Sequence, residues 1–129
     1  MRRALIVIVA VGSLAACGSS GSKPTMGVPV TFGIEGGSIA PFTIEISAAG
    51  SVKETGGALS LTKHHVAAAV TLAVEAELAG VSSRRCAGIL PDVGARFVTV
   101  KGKKVTVQGG CEPAFEKLWS KLTAAVGLD

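Results

Sequence analysis

Apolar and polar residues alternate with a period of two along much of the chain. Val28, Val30, Phe32 and Ile34 alternate with Pro29, Thr31, Gly33 and Glu35. Successive side chains on a strand point to opposite faces, so this spacing predicts a strand with one buried side. Gly36-Gly37-Ser38 ends it. Phe42, Ile44 and Ile46 alternate with Thr43, Glu45 and Ser47 and predict a second strand. Ala48-Ala49-Gly50 reads as a turn, Ser51 to Thr55 as a short third strand, and Ala58 to Leu61 as a fourth at the sheet edge.

The period then changes. Val66, Val70, Val74 and Leu78 recur at four-residue spacing, which predicts a helix from about Lys63 to Ala79. Ser60 or Thr62 is the expected cap and Gly80 the expected stop. Val81 to Val93 reads as loop. Arg96 to Val100 and Lys104 to Gln108 read as a hairpin joined by Gly102-Lys103, where a leading Gly suits a type II′ turn. That register pairs Val100 with Val105, Val98 with Val107 and Thr99 with Thr106. Pro113 sits at the first turn of a last helix, whose apolar stripe is Phe115, Leu118, Trp119, Leu122 and Val126. Glu112 and Glu116 near its start suit the helix dipole. The order predicts an α+β fold in two layers, an antiparallel sheet of four to six strands with two helices packed on one face.

The first residues follow another pattern. Met1-Arg2-Arg3 is a short basic segment, and Ala4 to Ser13 is nearly all apolar. That stretch suits an export signal and is too short to span a bilayer. Leu14-Ala15-Ala16-Cys17 follows. These four residues resemble the lipobox of bacterial lipoproteins. The resemblance implies cleavage before Cys17 and a diacylglyceryl thioether on its sulfur. Residues 1–16 are then a removable signal, 17–27 a Gly/Ser-rich flexible tether, and 28–129 a single domain. Two fatty chains suffice for stable anchoring. The expected location is the extracytoplasmic face of the cell membrane.

Cleavage changes the composition. It leaves 113 residues and removes Arg2 and Arg3, so the formal charge falls from +4 to about +2. Nucleic-acid binders carry a stronger and more clustered excess, and no nucleic-acid partner is expected. Lys101, Lys103 and Lys104 cluster at the hairpin tip, as a solvated turn or a contact for anionic lipid or cell-wall polymer. The mean hydropathy of +0.52 owes part of its height to the signal. The bias to Gly, Ala, Val and Arg is that of a GC-rich genome, of the kind actinobacteria have.

With Cys17 taken by lipid, Cys86 and Cys111 remain as an even pair outside the cytoplasm, where thiols oxidise. A disulfide between them is expected. Closing a loop of about 26 residues stabilises by roughly 3–4 kcal/mol in the chain-entropy model.

Candidate chemistry is sparse. His64 and His65 are adjacent in the predicted first helical turn and do not converge on one ligand. They are solvated there, or they serve as the base of a small hydrolase, with Glu54 as a long-range partner for His65. Glu75 and Glu77 diverge on a helix. No nucleophile elbow, phosphate loop, dinucleotide fingerprint or zinc motif is present, and the three Gly-Gly pairs lie in turns. No cofactor, no metal and no enzymatic activity are expected. Trp119 is expected in the core.

Val30-Thr31-Phe32, Gly36-Gly37, an alternating second strand, a long helix, a hairpin and a final helix beginning at Pro113 resemble the emfourin type of small domain over residues 28–126. The resemblance implies inhibition of thermolysin-like metalloproteases. The cysteine pair and the long loop before Phe97 depart from that pattern, and no inhibitory residues carry over. The leading expectation is a membrane-tethered, non-enzymatic binding module with a protein partner in the cell envelope.

Overall fold

The computed structural model describes residues 25–57 and 59–128. The expected signal, Cys17, most of the tether, Ala58 and Asp129 lie outside the described residues. Strands β1 (Val30–Glu35), β2 (Phe42–Ile46) and β3 (Val52–Thr55) come first, then helix α1 (Ala68–Leu78). Strands β4 (Arg84–Arg85), β5 (Ala95–Val100) and β6 (Lys103–Gln108) follow, and helix α2 (Pro113–Val126) closes the chain. The fold is α+β, with one six-stranded sheet in the order β3-β2-β1-β5-β6-β4.

β1 lies between β2 and β5, and its alternation sets the register on both sides. Val30 pairs with Ile46 and Val100, and Phe32 pairs with Ile44 and Val98. These side chains share one face and are buried, with Val74 and Leu78 of α1 and Phe115, Leu118, Leu122 and Val126 of α2 in the same cluster. Fully burying one such side chain stabilises by about 1.5–3 kcal/mol. Trp119, half-buried, sets its ring edge-on to Phe32 at 5.6 Å and packs against this core.

The expected all-antiparallel sheet is corrected by β4, which runs parallel to β6 and pairs Arg84 with Val107. The stretch 81–93 was expected to be loop throughout. Its backbone instead meets the outer edge of β6, where Cys86 N–H donates to Gln108 O at 2.9 Å and Thr106 N–H to Ser83 Oγ at 3.0 Å. An unpaired strand edge leaves peptide groups to satisfy, and this return segment satisfies them.

The same need moves the start of α1. The helix begins at Ala68, not Lys63, and its N-cap Ala67 offers no side-chain cap. Residues 64–66 are extended and cover the edge of β3. Val52 N–H donates to His64 O at 3.3 Å, Val66 N–H donates to Gly50 O at 2.8 Å, and Ser51 bridges His65. Val66 is buried from this extended segment. Thr62, expected as a cap, donates through Oγ1 to Gly127 O at the end of α2. Residues 59–61 form no strand, which corrects the expected fourth edge strand over its described part.

The hairpin register is corrected by two residues. Val98 pairs with Val105, Val100 with Lys103 and Thr99 with Lys104. The loop is Lys101-Gly102, with φ of 49° and 79°. Both positive angles belong to a type I′ turn, which glycine enters freely and lysine does not. A two-residue shift keeps the valines on the buried face, so burial alone does not choose between the registers. The observed one lets Lys103 Nζ donate to Leu78 O at 2.8 Å and Ala79 O at 3.2 Å. This lysine satisfies carbonyls that end α1 and places positive charge at its negative pole. Gly80 follows without a left-handed cap; α2, by contrast, ends in one at Gly127, with Leu128 N–H bonded to Thr123 O.

Thr71 is the one buried polar side chain among the described residues, at 1% exposure. Its Oγ1 donates to Ala68 O at 3.1 Å and accepts from Val28 N–H at 3.2 Å. It therefore pins the entering chain to α1.

Thr71→Val preserves shape and leaves the Val28 N–H without an acceptor. It is expected to cost about 1–3 kcal/mol in urea melts. Unchanged stability would show that this bond ties nothing down. Lys101→Asn supplies the residue a type I′ turn favours and should add about 0.5 kcal/mol, despite loss of an exposed ion pair. A lower melting temperature would contradict the turn assignment.

Candidate functional site

Two loops meet at the end of the sheet where β1 finishes. One follows β1 and spans residues 36–41. The other links β4 to β5 and spans residues 86–94. Backbone bonds tie them: Ser38 N–H donates to Asp92 O at 2.8 Å. Gln108 Nε2 donates to Val93 O at 2.6 Å, anchoring the second loop to β6.

The disulfide between Cys86 and Cys111 joins the start of that loop to the start of α2. Gly109 lies against it with φ of 97°, and a Cβ there would stand 2.7 Å from both Cys86 Cβ and Ile89 Cδ1. Only glycine fits this contact. Arg96 then fastens the floor. Its guanidinium pairs with both Glu116 oxygens and donates to Gly109 O at 2.9 Å. It also lies 5.4 Å from the Phe115 ring centre and 5.5 Å from that of Trp119. A guanidinium over aromatic faces gains further attraction. With these bonds made, Arg96 is a brace, and little of it remains for an anionic ligand.

The loops border an apolar cleft of about 320 Å³, lined by Ile34, Ser38, Ile39, Leu90, Asp92, Val93 and Arg96 among others. Ile39 is 63% exposed and Leu90 65%, and Val93 is also exposed. Single exposed apolar residues are ordinary, but here three line one concavity. Asp92 adds a carboxylate with no cationic partner among the described residues. The cleft can seat an apolar side chain and offers one negative charge at its rim. A second concavity of about 480 Å³ lies near Pro29, Thr31, Glu45 and Lys53 and holds none of the exposed large apolar residues.

The residues singled out from sequence fall elsewhere. Cys17 lies outside the described residues. His64 and His65 are exposed on the extended segment before α1, where adjacent side chains point to opposite sides. This corrects their expected place in a first helical turn. No ion pair joins either to Glu54 among the described residues, and Glu54 Oε1 instead accepts from Leu59 N–H at 3.1 Å. Glu75 and Glu77 pair separately with Lys101 and Lys121. The lysine cluster is divided too, since Lys104 turns to Glu35 at 3.0 Å and Lys103 to the end of α1. Among the described residues no group of three metal-ligating side chains occurs, and no helix is long and apolar enough to cross a membrane. Sequence reasoning passed over Ile39, Leu90 and Val93. Their one signal is being large apolar residues inside loops rich in Gly, Pro and Ser.

No protein-family model matches the chain, and neither a curated protein nor a solved structure shows significant similarity to it.

Replacing both Cys86 and Cys111 by Ser should cost about 3–4 kcal/mol. Hydrogen exchange should speed first at residues 86–94, ahead of β1 and β5. Uniform loss of protection across the sheet would show that the bridge does not specifically brace the cleft.

Proposed function

We propose that this chain is a lipid-anchored, extracytoplasmic binding module whose cleft takes apolar side chains of a protein partner in the cell envelope. The observation that carries the reading is the exposure of Ile39 and Leu90 around a cleft braced by a disulfide. Loops with apolar tips lose solvation free energy unless something covers them, and here they are held in place rather than folded inward. The small, open volume suits inserted side chains better than an enclosed metabolite. The Leu14-Ala15-Ala16-Cys17 sequence supplies the anchor in this reading, and it also accounts for an oxidised cysteine pair. The helices pack on one face of the sheet in this reading, a two-layer arrangement that leaves the other face without a helix. Binding without catalysis is the proposed role.

Position along β1 supports the arrangement. The chain enters at the Val30 end, and the cleft lies beyond the Glu35 end. Five strand rises separate the two ends, about 17 Å. A partner would then meet the cleft away from the anchored terminus.

The test places a photo-crosslinking side chain at position 90 of the full chain in its native membranes. A discrete adduct is expected there, lost on Ile39→Asp, with none from position 55 on the opposite sheet face. An adduct with a metalloprotease would select the inhibitor form of this reading. Equal labelling at both positions, or none at 90, would reject it. So would a mass spectrum of the native protein that retains Met1 or lacks lipid on Cys17.

A further inference from the structure

Helix α1 has the sequence AAVTLAVEAEL, with only Thr71, Glu75 and Glu77 polar. Its most exposed side chains are Ala69, Leu72 and Ala76. They are three and four residues apart, so they form one line along the helix. Leu72 is 38% exposed. An ordinary surface helix carries charged or amide side chains on that line. The two acids beside it are both matched, Glu75 to Lys101 at 2.8 Å and Glu77 to Lys121 at 2.6 Å. The outer side of α1 is thus an apolar helix face with balanced flanks, and no described residue covers it.

The course of the chain indicates what does. Gly27 N–H donates to Ala48 O, and Val28 N–H bonds Thr71 in the first turns of α1. The polypeptide therefore arrives at the start of this helix. Met26, one residue earlier, is 59% exposed. Cys17 lies ten residues before Gly27, so no conformation separates them by more than about 35 Å. At the other end of the helix stands the hairpin tip. Lys101 is 62% exposed there while paired with Glu75, and Lys103 turns inward, its Nζ donating to Leu78 O and Ala79 O.

We propose that the outer face of α1 docks on the lipid surface. Leu72, flanked by Ala69 and Ala76, enters the boundary between headgroups and acyl chains, and the exposed Lys101 lies against anionic headgroups. The inference rests on the reading of Cys17 as the lipid-bearing residue. Helices with an exposed apolar face lie in that boundary, and lysines beside an anionic leaflet add attraction. The face is small, but a short leash keeps it at high effective concentration, where weak docking is enough. Its consequence is orientation. With α1 against the bilayer, the domain holds one orientation on the membrane rather than tumbling on its tether.

The experiment uses the full, lipidated chain in vesicles of phosphatidylethanolamine and phosphatidylglycerol. A mass spectrum first establishes the lipid on Cys17. Leu72→Cys and Leu90→Cys are each labelled with a polarity-sensitive fluorophore and exposed to a water-soluble quencher. The label at 72 should emit to the blue of the label at 90 and be quenched several-fold more slowly. Replacing phosphatidylglycerol by phosphatidylcholine should narrow that difference. If Leu72→Cys melts below the parent protein, Ala76→Cys carries the label instead. Equal quenching on lipidated protein overturns the docking and leaves the anchor standing. Protection at 72 only when other membrane proteins are present overturns it in favour of a protein contact. A Cys17 without lipid overturns both the docking and the anchored reading beneath it.

Discussion

Phe32 has no accessible surface, and its burial decides which way the central strands face. It lies between Ile44 and Val98 on neighbouring strands, with Trp119 edge-on above it. Because side chains alternate on a strand, fixing Phe32 inward also fixes Val30 inward and sends Thr31 and Gly33 to the other side. Hydrogen bonding carries this choice to β2 and β5, and the helices close over the result. The exception proves informative. Phe97 lies on the opposite sheet face, directly across from Gly33, and is buried there with Lys104 Nζ 4.7 Å from its ring centre. An aromatic ring beside a strand glycine covers backbone that the missing side chain leaves bare.

This constraint explains what could be read from the chain alone. Period two was enough to place β1, β2, β5 and β6, since each has a buried face. Pro113 and the Phe115–Val126 stripe placed α2. Parity sufficed for the Cys86–Cys111 bridge once a compartment was assumed. Failures came where backbone groups, not side chains, made the decision. The edge of β3 needed partners, and residues 64–66 supplied them, so the four-residue spacing from Val66 to Leu78 overstated the helix. The edge of β6 likewise drew in Arg84 and Arg85. Such demands arise from distant strands and leave no local pattern.

The hairpin shows the same limit in a finer form. Side-chain parity forbids a slip of one residue but is indifferent to a slip of two. In the observed register the Lys103 amine reaches the last carbonyls of α1, a contact that parity does not supply. That register puts a lysine at φ 49° in the turn. The end of α1 and the hairpin are thus joined by a bond that spans 24 residues of chain. The cleft was less legible still. Ile39, Leu90 and Val93 have no periodic neighbours, and only the three-dimensional meeting of two loops brings them to one concavity.

The disulfide and the core do different work. The core cluster joins the sheet to both helices and contains none of Ile39, Leu90 or Val93. Side chains directed outward cannot hold their own loops by burial, so another restraint is required. Cys86 and Cys111 provide it at one end, through Gly109 and Arg96, and Gln108 provides it beside Val93. A loop braced in this way can present apolar groups without collapsing onto the core. In the proposed binding role it would also lose less conformational entropy on meeting a partner, because ordering has already taken place. That is the physical reason a cross-link belongs beside this cleft rather than within the well-packed half of the sheet.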